Sequence, residues 1–190
     1  MDPFPLFDEW YAEAREREPS DPNAMALATA TPGGVPSVRS VLMKDHGPDG
    51  FVFYTNYDSR KGEELEANPR AALAFHWKLT YKQVRIEGRI ERVDPATSTD
   101  YFHSRERAKQ LAASASKQSR PLPDRQTFLD RIETLEERYP TGDLPRPDNW
   151  GGYRLVPHAI EFWEGTHERM HHRRLFTDSG DGWTETLLYP

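Results

Sequence analysis

Four cationic side chains fall within one short stretch of the sequence. Arg39 lies inside a segment that alternates like a β-strand, and Lys44 follows at its end. Arg60 and Lys61 come directly after Ser59, a residue type that caps helices. A helix N-terminus presents free N–H groups and partial positive charge, to which arginine adds a planar fork and lysine a point charge. The stretch therefore predicts a site for a phosphate group.

The alternative is that these cations are ordinary solvated surface charges, as most lysines and arginines are. The chain as a whole is acidic, with 25 Lys and Arg against 31 Asp and Glu and a net charge of −6. Such a balance argues against nucleic acid or an anionic membrane as a general partner. The cations are thus a local feature, and their clustering at a strand end and a helix start favours the phosphate site.

A second pattern, His167–His171, reads H-E-x-x-H, which binds zinc when it lies on a helix. Here Ile160–Trp163 and Arg173–Phe176 have the composition of strands, with Gly165 and Thr166 as a turn between them. On a strand, residues four apart lie about 13 Å from each other, too far for one metal ion. We expect no metal site, and a zinc peptidase stays only as a remote alternative.

A third group lies in the predicted helix Pro95–Ser116. Tyr101, Arg105 and Lys109 are spaced four apart and would line one helical face. A phenol, a guanidinium and an ammonium on one face can hold a second phosphate. The alternative is an ordinary exposed helix face.

The 190 residues suit one domain, residues 1–190, with residues 1–20 as an N-terminal helical arm. The chain has no cysteine, which rules out disulfides and thiolate chemistry. Its first residues resemble no signal peptide, and no apolar run is long enough to span a membrane. We therefore expect a cytoplasmic protein.

Periodicity and turn residues predict an α+β protein with antiparallel strands around a β-barrel. Turns are expected at Gly47–Gly50 and Ser179–Gly182, and a bulge at Gly88. Helices are predicted at Leu6–Arg17, Gly62–Ala67, Pro95–Ser116 and Arg125–Tyr139. Strands are predicted at Ala24–Thr31, Val38–Met43, Phe51–Thr55, Ala71–Trp77, Thr80–Val93, Gly152–Phe162, Arg169–Phe176 and Trp183–Tyr189.

Three motifs, RSVLMK at 39–44, FYTN at 53–56 and SRK at 59–61, resemble the flavin-binding core of the pyridoxamine 5′-phosphate oxidase family. The resemblance covers nearly the whole chain. Near the C-terminus it includes Glu-Phe-Trp at 161–163 and Arg-x-His-x-Arg at 169–173. It implies the FMN-binding split barrel, an antiparallel β-barrel of Greek-key type with flanking helices.

The resemblance also implies site residues. FMN contacts would be Arg39, Lys44, Tyr54, Thr55, Arg60, Lys61, Gln83, Gln118, Ser119, Trp163 and Arg173. Substrate contacts would be Lys44, Tyr101, Arg105, Lys109, Arg169 and His171, the last two being catalytic. On one strand, Arg169, His171 and Arg173 would share a face.

The activity implied is oxidation of pyridoxamine or pyridoxine 5′-phosphate to pyridoxal 5′-phosphate. A hydride leaves the C4′ carbon of the substrate for FMN, and dioxygen then accepts the electrons and gives hydrogen peroxide. Members of the family are homodimers with the flavin at the subunit interface.

The sequence departs from the family pattern at three positions where substrate is expected. Lys109 replaces a usual serine, Glu164 a usual glutamine, and His172 an acidic residue or asparagine. A phenazine-biosynthesis-type FMN oxidase therefore stays open as an alternative. A flavin-binding module without turnover is a third reading, against which the second phosphate site argues.

Overall fold

The computed structural model describes residues 2–190, which form five helices and nine strands. The helices are α1 (Phe4–Arg17), α2 (Arg60–Ala67), α3 (Pro95–Ser104), α4 (Arg107–Ala115) and α5 (Arg125–Arg138). The strands are β1 (Ala24–Ala30), β2 (Pro36–Leu42), β3 (Asp45–Gly47), β4 (Gly50–Asn56), β5 (Arg70–Trp77), β6 (Lys82–Arg92), β7 (Trp150–Glu164), β8 (His172–Asp178) and β9 (Trp183–Leu187). Within these residues, no helix has the length and apolar character needed to cross a membrane.

The strands form one antiparallel sheet in the order β2-β1-β5-β6-β7-β4-β3, with β8 and then β9 attached to β7. The 15-residue strand β7 is the central strand, because it pairs with three others. One edge of β7 pairs with β6, while the other pairs first with β4 and then with β8. Because β4 and β8 leave the same edge of one strand, the sheet curls into a half-barrel that divides there. The predicted α+β class and antiparallel split barrel are confirmed.

A bulge lies where β6 crosses the middle of β7. The register shifts between Glu87 and Gly88, which pair with Ala159 and Pro157. A Cβ atom at Gly88 would lie 2.2 Å from the carbonyl oxygen of Val156, so only glycine fits this close approach. The predicted bulge is confirmed, and it bends the long strand pair into the curvature of the barrel.

Helix α1 packs one face into the main hydrophobic core of the sheet. Its buried side chains recur at helical spacing, and they are Phe4, Phe7, Trp10 and Ala14. Phe7 packs edge-on against Phe51 of β4 at 5.0 Å between ring centroids. This contact fixes α1 against the sheet and completes the main core.

A second, smaller core holds helices α3, α4 and α5 beside the start of β7. It is built on Phe102, Leu111, Leu144 and Trp150, all buried. Ile132 and Leu135 of α5 pack against it. This core places α3 and α4 against the aromatic side chains of β4.

The hairpins predicted at Gly47–Gly50 and Ser179–Gly182 are confirmed, since Gly47 pairs with Gly50 and Asp178 with Trp183. The single helix Pro95–Ser116 is wrong. Arg105 has an extended backbone, with ψ of 151°, and divides the segment into α3 and α4. The side chain of Gln110 donates to the main-chain carbonyl of Arg105 at 2.7 Å, which satisfies an acceptor that the break leaves free.

The strand predicted from Arg169 is also wrong at its start. Strand β8 begins at His172, and Arg169 adopts the left-handed region with φ of 59°. Its main-chain N–H donates to the carbonyl of Thr166 at 3.3 Å, which closes a turn. Arg169 and His171 thus lie in a loop, and only Arg173 of the three is on the strand.

Candidate functional site

The start of α2 lies against the chain just before it. Ser59 caps the helix by accepting a hydrogen bond from the main chain of Gly62 at 3.3 Å. A Cβ atom at Gly62 would lie 2.0 Å from the carbonyl oxygen of Tyr57, so the close approach requires glycine. Arg60 and Lys61 therefore occupy the first two helical positions, where main-chain N–H groups have no partner within a helix.

Lys61 is a half-buried cation with neutral partners. Its Nζ donates to Gln118 Oε1 at 2.9 Å and to Thr55 Oγ1 at 3.2 Å. Thr55 also donates to the same amide oxygen, at 3.1 Å. Burial lowers the pKa of Lys61, and the neighbouring charge of Arg39 lowers it further. No carboxylate within residues 2–190 forms an ion pair with Lys61, so the site favours an anion.

Arg39 and Arg60 share one carboxylate. Arg39 Nη2 lies 3.4 Å, and Arg60 Nε 2.9 Å, from the side chain of Glu64. Glu64 offsets only one of the three positive charges of Arg39, Arg60 and Lys61. A phosphate monoester carries about −1.5 to −2 at neutral pH. The donor set and its charge therefore fit the phosphate group of FMN.

Ser119 follows Gln118 in the loop after α4 and adopts φ of 68°. This loop brings Gln118 to the N-terminus of α2, where its side chain accepts a hydrogen bond from Lys61. Residue spacing alone does not predict this approach across 57 residues.

Three aromatic rings form a stack between β4, α3 and the start of β7. Tyr54 of β4 stacks on Tyr101 of α3 with centroids 3.9 Å apart, and on Trp150 of β7 at 5.5 Å. The guanidinium of Arg105 lies 4.9 Å from the centroid of the Trp150 ring. Sequence reasoning missed Trp150, because a tryptophan at a strand start carries no sign of the helix that packs on it.

Arg105 holds an unsatisfied donor. Its Nη1 atom is buried and has no hydrogen-bond partner within residues 2–190. Burial lowers the pKa of Arg105, against the opposing influence of Tyr101. A buried guanidinium nitrogen without a partner costs free energy unless a ligand satisfies it. Arg105 is therefore a candidate for binding an anion.

Lys109 and Lys44 are more loosely placed. Lys109 Nζ donates to Glu106 at 3.1 Å in an exposed ion pair. Burial raises the pKa of Tyr101, while the charges of Arg105 and Lys109 oppose that rise, so the three predicted groups are neighbours. The prediction of one helical face is wrong, because Tyr101 lies on α3 and Lys109 on α4. The Lys44 side chain is exposed, and its main-chain N–H donates to the carbonyl of Val52 at 2.8 Å.

A second part of the site lies across β6, β7 and β8. Gln83 is directly opposite Trp163, which is directly opposite Arg173, so the three side chains share one face. Arg173 Nε and Nη2 each lie 2.8 Å from Glu161 Oε1, and Nη1 donates to the carbonyl of Tyr189 at 2.9 Å. These bonds fix the guanidinium beside the indole.

His171 lies against the same indole, with 4.7 Å between the centroids of its ring and that of Trp163. Its Nδ1 accepts a hydrogen bond from the main chain of Thr166 at 3.2 Å. In the neutral imidazole the proton is then on Nε2, which donates no hydrogen bond within residues 2–190. Arg169 lies in the adjoining turn, not on the strand face.

The H-E-x-x-H pattern lies in this same loop and not on a helix. His167 and His171 therefore lack the helical spacing that a shared zinc ion requires. In the part of the chain that the structure describes, no group of three His, Cys, Asp or Glu side chains is placed to hold a metal.

The two parts of the site do not touch within the described chain. No hydrogen bond, ion pair or ring contact among residues 2–190 links Gln83, Trp163 or Arg173 to the group around Lys61. The residues predicted for one flavin thus fall into two sets on one protomer.

Comparison with known proteins identifies the family. Residues 12–139 match the family described as "Pyridoxamine 5'-phosphate oxidase". Residues 150–190 match the "Pyridoxine 5'-phosphate oxidase C-terminal dimerisation region". The chain belongs to the pyridoxamine 5′-phosphate oxidase family. It is an oxidoreductase with a flavoprotein split-barrel fold.

Curated relatives match over the whole chain. A pyridoxine/pyridoxamine 5′-phosphate oxidase of Novosphingobium aromaticivorans is 60% identical over 190 residues, covering 100% of this chain and 94% of the relative. The protein of that name from Rhodospirillum rubrum is 50% identical and covers 100% and 96%.

Solved structures share the fold. PhzG from Burkholderia lata, in complex with tetrahydrophenazine-1-carboxylic acid, superposes with a TM-score of 0.94 at 33% identity, covering 100% of this chain and 93% of PhzG. A pyridoxamine 5′-phosphate oxidase-related FMN-binding protein from Nostoc punctiforme gives a TM-score of 0.80 at 18% identity, covering 100% and 99%. The latter likeness concerns the fold alone.

Proposed function

We propose that this protein is an FMN-dependent oxidase that converts pyridoxamine 5′-phosphate and pyridoxine 5′-phosphate to pyridoxal 5′-phosphate. Dioxygen accepts two electrons and two protons and leaves as hydrogen peroxide; the amine substrate also consumes water and releases ammonia. One observation supports the proposal: one protomer carries two groups of residues suited to anions, the cations at the start of α2 and Arg105 beside the stacked rings.

The first anion site takes the FMN phosphate. Lys61 supports this role because it is a half-buried cation without a carboxylate partner within residues 2–190. Arg60 and Arg39 lie beside it, and Thr55, Gln118 and Ser119 supply neutral polar groups. A cofactor held by one phosphate and an aromatic ring system needs this mixture of charge and neutral donors.

The second anion site takes the substrate phosphate. The unsatisfied Nη1 of Arg105 supplies a charged donor, and Tyr101 and Lys109 are its neighbours. Tyr101 is held by its stack on Tyr54, so its hydroxyl is placed with little loss of side-chain entropy. Lys44 adds charge from the end of β2.

FMN, when bound, supplies the hydride acceptor. The residues of the chain orient the substrate and hold protons. His171 offers a proton at Nε2, since its Nδ1 is occupied by the main chain of Thr166. Arg169 presents a permanent positive charge from the adjoining turn. With His171, it binds the polar edge of the pyridine ring of the substrate. Trp163 excludes water from one side of His171.

We further propose a cytoplasmic, single-domain homodimer whose site is shared between subunits. The set Gln83, Trp163 and Arg173 has no contact with the Lys61 set among the described residues, and the family region at 150–190 is named for dimerisation. Two copies related by a two-fold axis can bring the first set of one subunit to the second set of its partner.

The phenazine-type alternative has a specific observation in its favour, the TM-score of 0.94 to PhzG. Two of the three sequence departures do not support it. Glu164 and His172 lie opposite each other on β7 and β8, on the face away from Trp163 and Arg173. Only Lys109 remains near the substrate site, and the 60% identical relative carries the name of the pyridoxine/pyridoxamine 5′-phosphate oxidase.

Anaerobic bleaching of the bound flavin tests the proposal. Pyridoxamine 5′-phosphate, pyridoxine 5′-phosphate and a dihydrophenazine are added in parallel to oxygen-free protein, and the loss of yellow absorbance is followed. We expect bleaching by both vitamin phosphates, and recovery of the colour with release of hydrogen peroxide when air is admitted. Bleaching by the dihydrophenazine alone would establish the alternative, and bleaching by none would leave a flavin-binding module.

A further inference from the structure

Glu64 is a buried carboxylate that none of the site predictions includes. Its residue is 5% exposed, and it lies on α2 one helical turn after Arg60. It faces β1 and β2, where Thr29 and Ser37 reach it. A buried carboxylate is costly unless charged or polar donors surround it, so its contacts determine what it does.

Both carboxylate oxygens are used. Oε1 accepts a hydrogen bond from Arg60 Nε at 2.9 Å. Oε2 accepts from the hydroxyls of Thr29 and Ser37, the latter at 2.5 Å, and from Arg39 Nη2 at 3.4 Å. Burial alone would raise the pKa of Glu64, but the hydrogen bonds from Ser37, Thr29, Arg60 and Arg39 lower it to about 2. The group is therefore ionised throughout the physiological range.

Arg39 is held on two sides by the same network. Its Nη1 donates to Thr29 Oγ1 at 2.5 Å and to the carbonyl of Leu27 at 3.3 Å, and its Nη2 donates to Ser37 Oγ at 2.5 Å. Because both hydroxyls donate to Glu64, their oxygens are free to accept from Arg39. The guanidinium of Arg39 is thus locked in place, with its charge beside Lys61.

Arg60 is held at one point only. Its Nε is bonded to Glu64, while neither of its Nη groups has a hydrogen-bond partner within residues 2–190. The side chain is 59% exposed, so without this bond it would be free to rotate in solvent. The bond fixes the plane of the guanidinium and leaves its outer edge, with both Nη groups, free for an anion.

We propose that Glu64 is a positioning residue for the phosphate of FMN: it holds the guanidinium groups of Arg60 and Arg39 at the start of α2 and does not touch the flavin. This inference rests on the proposed FMN site. Its effect is to order the arginines before the ligand arrives, and ordering one long side chain corresponds to about three- to tenfold in affinity.

An opposing effect must be separated from it. The negative charge of Glu64 also repels a phosphate, so its removal could tighten binding. Two substitutions divide the effects. Glu64→Gln removes the charge and keeps the reach of Oε1, whereas Glu64→Asp keeps the charge and shortens the reach by one methylene group. Glu63→Gln is the matched control, since Glu63 is the exposed neighbour on α2 that pairs with Arg120.

The experiment titrates apo-protein with FMN and with riboflavin, which lacks the phosphate, and follows quenching of flavin fluorescence. Thermal unfolding of each apo-variant reports separately on the fold. We expect Glu64→Asp to weaken FMN binding about three- to tenfold, Glu64→Gln to stay closer to wild type, and riboflavin binding to be unchanged in both. The control should match wild type with both flavins.

Other outcomes overturn the inference. Equal weakening of FMN and riboflavin would make Glu64 a purely structural residue, and tighter FMN binding by Glu64→Gln would make it a competitor of the phosphate. An unchanged affinity in Glu64→Asp would show that Arg60 needs no support. Wild-type protein that binds FMN no better than riboflavin would instead refute the proposed phosphate site, and the role of Glu64 with it.

Discussion

Lys61 Nζ donates to Gln118 Oε1 at 2.9 Å, although the two residues are 57 positions apart. The bond ties the start of α2 to the loop that follows α4. It also joins two groups of residues that the family resemblance assigns to one flavin but that no local pattern connects. The proposed phosphate site is thus assembled by the fold of a single protomer, before any partner is considered.

Removing a cation from this site should weaken FMN binding. For Lys61→Ala or Arg60→Ala we expect a loss of about 1.5–3 kcal/mol, the range for hydrogen bonds to charged groups, or about tenfold to a hundredfold in Kd. Fluorescence titration of apo-protein measures it. Lys78→Ala, at an exposed turn lysine, serves as the control. If FMN binds equally well to all variants, the α2 cations are surface charges.

Arg105 should read the substrate phosphate through its unsatisfied nitrogen. In Arg105→Lys the charge remains but the planar fork is lost, so KM for pyridoxamine 5′-phosphate should rise about tenfold or more, while kcat falls less. Unphosphorylated pyridoxamine should be oxidised equally by variant and wild type. Steady-state kinetics on both substrates check this, and a parallel loss on the two would mean that Arg105 supports the fold around Trp150 instead.

Lys109 should contribute modestly. Its exposed pair with Glu106 competes with a substrate phosphate, and surface pairs are worth about 0–1 kcal/mol. We expect Lys109→Ser to raise KM for the phosphorylated substrate several-fold with little change in kcat, an effect that shrinks as salt rises. Glu106→Gln should have the opposite effect on KM, because it frees Lys109. A lower KM in Lys109→Ser would contradict a role in phosphate binding.

A site shared between subunits predicts complementation. Lys61→Ala and Arg173→Ala alter the two sets that do not touch within one described chain. Each variant alone should bind FMN weakly. After the two are unfolded together and refolded, about half of the dimers should be mixed and about a quarter of all sites should regain both side chains. Flavin content of the mixture, against each variant refolded alone, gives the result; no recovery would place both sets in one subunit.

Glu64 should make the fold sensitive to acid. Its pKa falls from 4.5 to about 2 in the folded protein, so its stabilising contribution is complete above pH 4.5 and is lost as the pH falls towards 2. The full loss corresponds to about 3 kcal/mol. The free energy of unfolding of apo-protein, measured in urea at one fixed protein concentration, should fall more steeply with decreasing pH in wild type than in Glu64→Gln across this window. Glu63→Gln should follow wild type.

Much of the fold could be predicted because it depends on residues that are close together in the sequence. The two hairpins depend on turn residues next to each other in sequence, and the bulge at Gly88 interrupts a clean alternation. The cap at Ser59 follows from residue type alone. These features are set by interactions within a few residues, so the sequence around each one suffices.

The rest depended on contacts that sequence spacing does not record. The break at Arg105 is stabilised by Gln110 and by the stack of Arg105 on Trp150, a residue 45 positions away along the chain. The turn at Arg169 depends on a main-chain hydrogen bond and not on a glycine. In the sequence, Glu64 is indistinguishable from the other charged residues of a short helix. Its partners Thr29 and Ser37 lie on β1 and β2, far from it along the chain.

The long strand β7 also governs when the molecule can close. Strand β4 ends at Asn56, which pairs with Trp150, and within the described sheet β7 alone lies between β6 and β4. During synthesis, β1, β2, β5 and β6 can pair early and β3 can pair with β4, whereas the pairing of β4 with β7 must wait until most of the chain has left the ribosome. The closing step brings together segments far apart in sequence, so it is slow and leaves apolar strand edges exposed meanwhile. Nascent chains that stop before residue 150 lack β7 and should therefore depend most on chaperones.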